Sequence, residues 1–430
     1  MRQTTVPSTP LSVGVLVDLE KIPGAGGHVK CWERFAGAAV GLDETIDLTV
    51  YFLGESFHCE NLSEWVRYVT LPPVLGTRRF SFLDQGAGHT DLAPYHPGLA
   101  RRLAGREVIH ATSMFGFGST GATVAKRTAK PLVFSIHTDL PAFSSIYMTE
   151  IVERVAGNGN ISQLLLDRLR INERAAGFMG YMENRLLRSC DRILVSKQED
   201  MDRARKIKPP DRISFFRRGI DLDLFHPSRR APERLRQDLG IDAKTPVLLF
   251  AGRIDASKQV MTLAAAARIL IERNIPVHTV FAGKGNQMDN VRDLLGPDVT
   301  MLGDISQAQL AALYASADLF VFPSRSEVSP NVVLEAKASG LPPIVANANG
   351  GGQFIEKSGN DGLIVQDNLP QSWANTISPV LADPAWRDAM SRSARRWVER
   401  RWPSWTEVLL EDLIPVWRSA RDSMPPVQDR

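Results

Sequence analysis

A repeated change of period limits what this chain can fold into more than any other feature. Short apolar runs of strand length alternate with longer stretches of helical spacing, and they do so in two separate series. Runs that are apolar throughout suit strands covered on both faces. Parallel neighbours meet that need, because each crossover between them lays a helix on the sheet. The first series predicts strands at 12–17, 48–53, 108–110, 132–136, 192–195 and 213–216, with helices at 29–40 and 162–188 among them. The second predicts strands at 247–251, 277–282, 299–302, 319–322, 344–346 and 363–365, with helices at 261–273 and 307–315. Both series read as doubly wound α/β sheets.

Between them, Phe225-His226-Pro227-Ser228-Arg229-Arg230-Ala231-Pro232 breaks the pattern with prolines and charge. This places a first domain over 1–225 and a second over 226–405. After Pro403, the spacing of Trp405, Val408, Leu409, Leu413, Ile414 and Trp417 predicts an amphipathic helix over 406–430 that crosses back to the first domain. Residues 1–10 read as a loose tail without the apolar run of a signal peptide.

Composition narrows the function classes. With 51 basic against 48 acidic side chains the net charge is +3, which gives no overall argument for a nucleic-acid partner. Cys31, Cys59 and Cys190 are odd in number and far apart, as expected of reduced thiols in a cytoplasmic protein. The uncharged stretch 108–125 is interrupted by Gly116, Gly118 and Gly121 and falls short of a membrane span. No His-x-x-x-His pair occurs, and the Asp-x-Asp at Asp221 and Asp223 lies by the linker, so no metal is expected and those aspartates read as structural.

Open α/β sheets bind ligands at the carboxyl ends of their strands, so the loops that follow strands carry the chemistry. After 247–251 come Gly252, Arg253 and Lys258, a glycine turn and two cations able to clamp a diphosphate. After 319–322, Ser329 can cap a helix that begins at Pro330. Its amides, over Ser329, Asn331 and Val332, offer a phosphate site flanked by Glu327 and Glu335 as acceptors for hydroxyls. After 277–282, Gly283 and Gly285 would let a base or ribose approach the backbone. In the first series, the segment from Ile22 to His28, with Gly26 and Gly27, is a possible anion cradle without the full dinucleotide fingerprint. His137, with Asp139, follows 132–136. For each site a plainer alternative exists: surface cations paired with Asp255, a solvated carboxylate, a structural histidine.

Taken together, these residues resemble a family. The Gly-Arg…Lys turn, the Glu327-x7-Glu335 segment running into Ala336-Lys337-Ala338-Ser339-Gly340-Leu341-Pro342, and the loop Asn349-Gly350-Gly351-Gly352 resemble a retaining glycosyltransferase of the GT-B fold, family 4. His137-Thr138-Asp139 and Arg218-Gly219-Ile220-Asp221 with Phe225-His226-Pro227 are similar to members that glycosylate lipids or transfer mannosyl or sulfoquinovosyl groups. The resemblance implies two Rossmann-like domains facing across a cleft, the first for the acceptor and the second for the donor. It implies a hexose moved from a UDP- or GDP-linked donor to a lipid or glycan, with no cofactor, by a front-face mechanism that keeps the α configuration. In that reading Glu327 holds sugar hydroxyls, Glu335 the ribose and Arg253 with Lys258 the diphosphate, Gly26 and Gly27 form the glycine loop, and His137 faces the reacting sugar. The chain departs from the pattern at Val328-Ser329-Pro330-Asn331, where many members have Phe-Gly, and at the doubled Pro342-Pro343.

Two competing readings are a sugar-nucleotide epimerase or hydrolase of the same fold and a non-catalytic nucleotide-binding module. A lipid acceptor would require peripheral contact with the inner face of the cytoplasmic membrane. Candidate surfaces are Arg101, Arg102 and Arg106 around Leu103, then Arg168, Arg170 and Arg174 with Leu165, Leu166, Leu169 and Phe178, and Met148 with Phe143, Ile146 and Tyr147.

Overall fold

The computed structural model describes residues 10–22, 25–42, 44–80, 89–137, 140–157, 159–325, 327, 329–347 and 351–424, less the side chains of 142, 143, 146, 150, 154, 156, 160 and 161. The chain divides into two compact units. One holds the described residues of 1–141, 173–218 and 405–430, the other those of 142–172 and 219–404.

The first unit is built on an eight-stranded sheet of β1 (Leu11–Glu20), β2 (Ile46–Leu53), β3 (His58–Asn61), β4 (Val66–Leu71), β5 (Val108–Ala111), β6 (Leu132–Ser135), β7 (Arg192–Val195) and β8 (Ile213–Phe215), in the order β3-β4-β2-β1-β5-β6-β7-β8. All neighbours are parallel except β3 and β4. The apolar pattern anticipates six of these strands and misses β3 and β4. All four residues of β3 are exposed, so this edge strand carries no apolar signal, and β4 mixes Arg67 and Thr70 into its run.

One face of this sheet is covered by the helix Gly27–Ala39, through Trp32 and Phe35, together with the returning C-terminal segment Trp405–Asp422. Trp405 meets Phe35 edge-on with ring centroids 4.8 Å apart, and Trp417 Nε1 donates to His110 Nδ1 at 3.1 Å. Arg217 fastens the segment by donating to Asp412 at 2.7 Å and Glu411 at 2.6 Å. The helix crossing back to the first unit is therefore present, as its apolar spacing requires. The other face packs against helices Gly116–Thr128 and Ile171–Ser189. The single helix read over 162–188 is in fact broken: Asn160–Gln163 runs into a wide turn at Leu164–Arg168, and Arg170 adopts a left-handed φ of 49° before Ile171–Ser189 begins.

The second unit carries a fully parallel sheet of β9 (Val247–Ala251), β10 (His278–Ala282), β11 (Val299–Gly303), β12 (Leu319–Phe322), β13 (Pro343–Ala346) and β14 (Leu363–Val365), in the order β11-β10-β9-β12-β13-β14. Its inner strands β9, β10, β12 and β13 are buried at every residue, the reason they read as unbroken apolar runs. Phe225, in the segment read as a linker, is buried in this unit's core beside Tyr314. Asp221 accepts the amides of Asp223 and Leu224, a turn-forming role that fits the structural reading of that pair.

Each sheet reverses its strand order once. The first unit's chain proceeds from β1 outward through β2, then returns to the opposite side of β1 with β5. The second does the same at β9 and β12. Such reversals leave a crevice at the carboxyl ends of the two central strands, the place where doubly wound sheets hold ligands.

Candidate active site

At the reversal of the second unit, the chain leaves β9 through Gly252 at φ +143°, a conformation that side-chain-bearing residues rarely adopt. Asp255, almost fully buried, organises the rest of this loop. Its carboxylate accepts from Ser257 Oγ at 2.5 Å and from the Lys258 amide at 3.3 Å, and pairs with Arg253 at 3.3 Å. Arg253 also donates to Ser257 Oγ at 3.2 Å. The pairing of Arg253 with Asp255, one of the plainer alternatives, is thus present, and it holds the guanidinium against the loop.

From the neighbouring strand β12, Pro323 and Ser324 lead to Glu327. Ser324 is fully buried and donates to Glu327 Oε1 at 2.6 Å, and the Lys258 ammonium donates to the same oxygen. Burial pushes the Glu327 carboxyl up, but Lys258, then Ser324 and Arg253, outweigh it and hold the group below its ordinary value of 4.5. Glu327 is therefore an ionised acceptor at neutral pH, held by two donors. Ser326 and Val328 lie outside the described residues.

The helix after this loop runs Asn331–Ala338, with Pro330 as its extended N-cap and no side-chain cap. This corrects the expectation that the helix starts at Pro330 with Ser329 capping. A residue with φ near the proline value and extended ψ serves equally as the cap itself, so Ser329 falls outside. Asn331 Oδ1 is buried without a partner among the described residues, and Val332 packs against the core. Glu335, one turn into the helix and 4% exposed, lies 3.4 Å from the Tyr314 hydroxyl. Two residues on, Lys337 is wholly buried on Asp361 at 2.7 Å and over the ring of Trp397 at 3.6 Å, tying this helix to the segment 352–361.

The glycines divide into two kinds. A Cβ on Gly283 would lie 2.0 Å from the Gly252 carbonyl oxygen, and one on Gly285 2.1 Å from that of Ile254, so both serve the backbone-to-backbone packing of the β9 and β10 loops. Gly252 N donates to Ala282 O at 2.9 Å and Ile254 N to Lys284 O at 2.9 Å across this seam. Gly351 is similarly pressed on Val345, while Asn349 and Gly350 are outside the described residues. In contrast, a Cβ on Gly26 or Gly27 would meet nothing within 4 Å, and neither has a positive φ. The fold itself makes no demand for glycine there.

At the reversal of the first unit, Gly26 and Gly27 open the helix Gly27–Ala39, whose N-terminus has no side-chain cap. His28 follows, and its ring stacks on that of His137 with centroids 4.2 Å apart and planes 8° from parallel. His137, after β6, is held at both nitrogens: Nε2 lies 2.7 Å from Ser135 Oγ, and Nδ1 accepts from Arg218 at 2.7 Å. A guanidinium can only donate, so the neutral His137 carries its proton on Nε2. His110 reaches the same Ser135 hydroxyl through Nε2 at 2.8 Å. Desolvation drives all three imidazoles down, His28 and His110 to about 3 and His137 well below its ordinary value, with the Arg218 charge adding to the effect on His28 and His137. The Arg218 guanidinium is buried, with Cys31 Sγ as its other close partner. Thr138 and Asp139 lie outside the described residues.

Comparisons with known proteins bear on the family and the fold. The family model "Glycosyl transferases group 1" matches residues 232–397, and "Glycosyltransferase Family 4" matches residues 39–224. A D-inositol 3-phosphate glycosyltransferase of Mycolicibacterium gilvum is 30% identical over 324 residues, 71% of this chain and 67% of the relative. This chain belongs to the family 4, group 1 glycosyltransferases. A second relative, D-inositol 3-phosphate glycosyltransferase 1 of Catenulispora acidiphila, is 28% identical over 79% of this chain and 78% of its own. The glycosyltransferase shares its fold with a sucrose-phosphate synthase from Thermosynechococcus elongatus, with a TM-score of 0.70 and 19% identity over 96% of this chain and 99% of that one. Anabaena Alr3699/HepE in complex with UDP-glucose gives a TM-score of 0.65 at 17% identity, over 95% and 98%. The GT-B expectation is met.

Within this glycosyltransferase the structure brings Arg253, Lys258 and Glu327 together and places Glu335 one turn into the helix that follows the Glu327 loop. Sequence reasoning offers Asp255 only as a surface partner of the cations, names His28 and Arg218 without a role of their own, and passes over Ser324 and Ser257, which orient Arg253 and Glu327, and Thr112 and Ser135 around His28 and His137. Most of these residues share one signal: Asp255, Ser324, Thr112, Ser135 and Arg218 lie at, or within about four residues of, a strand's carboxyl end, whereas Ser257 and His28 follow at greater distance.

Proposed function

We propose that this enzyme transfers a hexose from a UDP-linked donor, with retention of configuration, to a hydroxyl of a phosphorylated polyol of the inositol phosphate type. The observation that carries the donor half is the convergence of Lys258 and Arg253 on one side and Glu327 on the other at a single sheet reversal. Two cations suit a diphosphate, an ionised carboxylate suits sugar hydroxyls, and Glu335 suits a ribose diol. Anabaena Alr3699/HepE, of the same fold, has been solved with UDP-glucose, which supports UDP as the carrier. The acceptor class is supported by the names of the relatives.

In the reaction, the bond from the anomeric carbon to the diphosphate oxygen breaks while the acceptor oxygen bonds that carbon on the same face. The acceptor's proton passes to an oxygen of the departing diphosphate, so no protein nucleophile takes part. Arg253 and Lys258 stabilise the negative charge that grows on the leaving group, and this is where most of the acceleration arises. His137, a neutral ring of fixed orientation, faces the reacting sugar. Residues 1–225 serve the acceptor and 226–405 the donor.

One observation favours a second reading of the acceptor as a lipid headgroup. In the second unit Val155, Leu164 and Leu169 are exposed near Arg168 and Arg170 in sequence, and in the first unit Phe178 and Tyr181 are exposed on the helix that carries Arg174. No helix among the described residues is long and apolar enough to cross a membrane, so this contact would be peripheral.

The test is a thermal-shift series with UDP-glucose, GDP-mannose and UDP, followed by turnover with D-inositol 3-phosphate or anionic liposomes. UDP-glucose at a hundred times its Kd adds about 2.7 kcal/mol of stability. No shift with any nucleotide sugar would overturn the donor assignment. Turnover confined to liposome-borne acceptors would favour the lipid.

A further inference from the structure

The reading above gives His28 no role, yet its surroundings define which of its ring nitrogens carries the hydrogen. His28 lies in the first turn of the helix Gly27–Ala39 that follows β1, and Thr112 lies just beyond the carboxyl end of β5, the two strands that flank the sheet reversal. His28 Nε2 is 2.9 Å from Thr112 Oγ1. That hydroxyl has one proton, and it goes to the Leu16 carbonyl at 2.7 Å. Thr112 Oγ1 is therefore the acceptor, His28 Nε2 carries the hydrogen, and His28 Nδ1 is left with its lone pair.

The other two imidazoles are closed. His110 accepts from Trp417 at Nδ1 and donates to Ser135 at Nε2. His137 accepts from Arg218 at Nδ1 and donates to the same serine. Of the three rings, only His28 presents a nitrogen that no described residue engages, and that nitrogen is not among the buried atoms left without a partner. The stack on His137 and the bond to Thr112 hold the ring in one orientation, so the lone pair is fixed in direction. A fixed, neutral acceptor beside the two glycines whose side-chain space the fold leaves open is suited to a hydroxyl donor arriving from outside the chain.

We propose that His28 Nδ1 accepts a hydrogen bond from a hydroxyl of the acceptor substrate and so helps to choose which hydroxyl is presented for transfer. His137 thereby acts as the surface against which His28 is held, and Arg218 and Ser135 as the groups that fix His137. The proposal rests on the polyol reading of the acceptor given above. It adds a specificity-determining residue to the first unit.

The experiment compares wild type, His28→Phe and His28→Asn with UDP-glucose as donor and D-inositol 3-phosphate, free inositol and glycerol as acceptor probes. Phenylalanine keeps the stacked ring and removes the lone pair. Asparagine restores an acceptor oxygen near the place of Nδ1. A thermal melt of each variant confirms folding. The expected result for His28→Phe is a loss of tenfold or more in kcat/KM for the acceptor, with the KM for UDP-glucose changed less than twofold. His28→Asn should recover most of the loss and alter the ratio of regioisomeric products. Wild-type kinetics in His28→Phe would overturn the proposal while leaving the functional reading intact. Equal losses in both variants would also overturn it, since a merely structural ring is not rescued by asparagine. A wild type inert toward all three probes overturns the polyol reading, and the proposal with it.

Discussion

Lys258 and Glu327 form an ion pair that spans the strand reversal of the second unit, one from the loop after β9 and the other from the loop after β12. A cation meant for phosphate and a carboxylate meant for sugar hydroxyls thus position each other. Removing either disturbs both. Lys258→Ala should lower turnover about 10²-fold or more, the loss of roughly 3 kcal/mol of leaving-group stabilisation. Arg253→Ala should do the same. Glu327→Gln should lower kcat by a comparable factor with less than threefold change in the Kd for UDP. The double variant Lys258→Ala/Glu327→Gln should lose less than the product of the single effects. Steady-state kinetics and calorimetry with UDP check these values.

The two kinds of glycine make opposite predictions. Gly283→Ala forces a Cβ against the Gly252 carbonyl at a φ of +134° and should destabilise the protein by about 3 kcal/mol or more. Gly27→Ala meets nothing in the protein, so the melting temperature should stay within a degree or two while kcat/KM falls. Paired thermal melts and kinetics separate the cases. A stable, fully active Gly27→Ala would remove the glycine loop from the site.

Much of this architecture is legible in the sequence, and the reasons are physical. The inner strands of the second sheet are buried on both faces, so their apolar runs mark them almost to the residue. The exposed edge strand β3 has no such signal and is invisible. Arg253, Lys258 and Glu327 can be found because charged side chains directly after apolar strands stand out. The pairing of Asp255 with the cations is readable only as one alternative, and that Ser257 and Ser324 help to hold the groups cannot be read, because small polar residues in loops are common and Lys258 and Glu327, which they flank, lie 69 residues apart. For His137 the sequence indicates a position but not a state. Its neutrality depends first on burial, then on the neighbouring His28 and on Arg218, 81 residues later.

Buried titratable groups in the first unit predict an opposed pH dependence of stability. His28, His110 and His137 titrate well below their ordinary value of 6.5 in the folded state, so below that pH the unfolded chain binds more protons than the folded one. Their contribution is present at neutral pH and is lost as pH falls through about 6.5 toward 3. Asp18 acts in the other direction. Burial raises its carboxyl from 3.8 to about 7, against hydrogen bonds from the amides of Phe117 and Asp91. Its contribution is present at low pH and fades as pH rises through about 7. Each group is worth up to about 1.4 kcal/mol per pH unit, so three imidazoles prevail over one carboxyl between about pH 4 and 6.5, and stability should fall on acidification. Urea denaturation at pH 5, 6, 7 and 8 measures the slope. Asp18→Asn should steepen the fall between pH 7 and 5, and an unchanged slope would contradict the Asp18 assignment.

The buried pair Lys337 and Asp361 anchors the helix that carries Glu335. Lys337 and Asp361 are 0% and 2% exposed at the side chain, and burial brings Lys337 down to about 8 against the pull of Asp361. Lys337→Met leaves a carboxylate without its cation and should cost about 3–5 kcal/mol. Adding Asp361→Asn should return a large part of that loss, although the aspartate also accepts the amides of Glu356 and Lys357. Chemical denaturation of the single and double variants tests this coupling.

The central claim is that the diphosphate clamp around Lys258 and Arg253 drives transfer of a hexose with retention. Proton NMR of the first product formed from UDP-α-glucose tests it most directly. The account predicts a small, α-type coupling at the new anomeric proton, with UDP released in equal amount and only when acceptor is present. A large, β-type coupling, or UDP release at the same rate without acceptor, would contradict it.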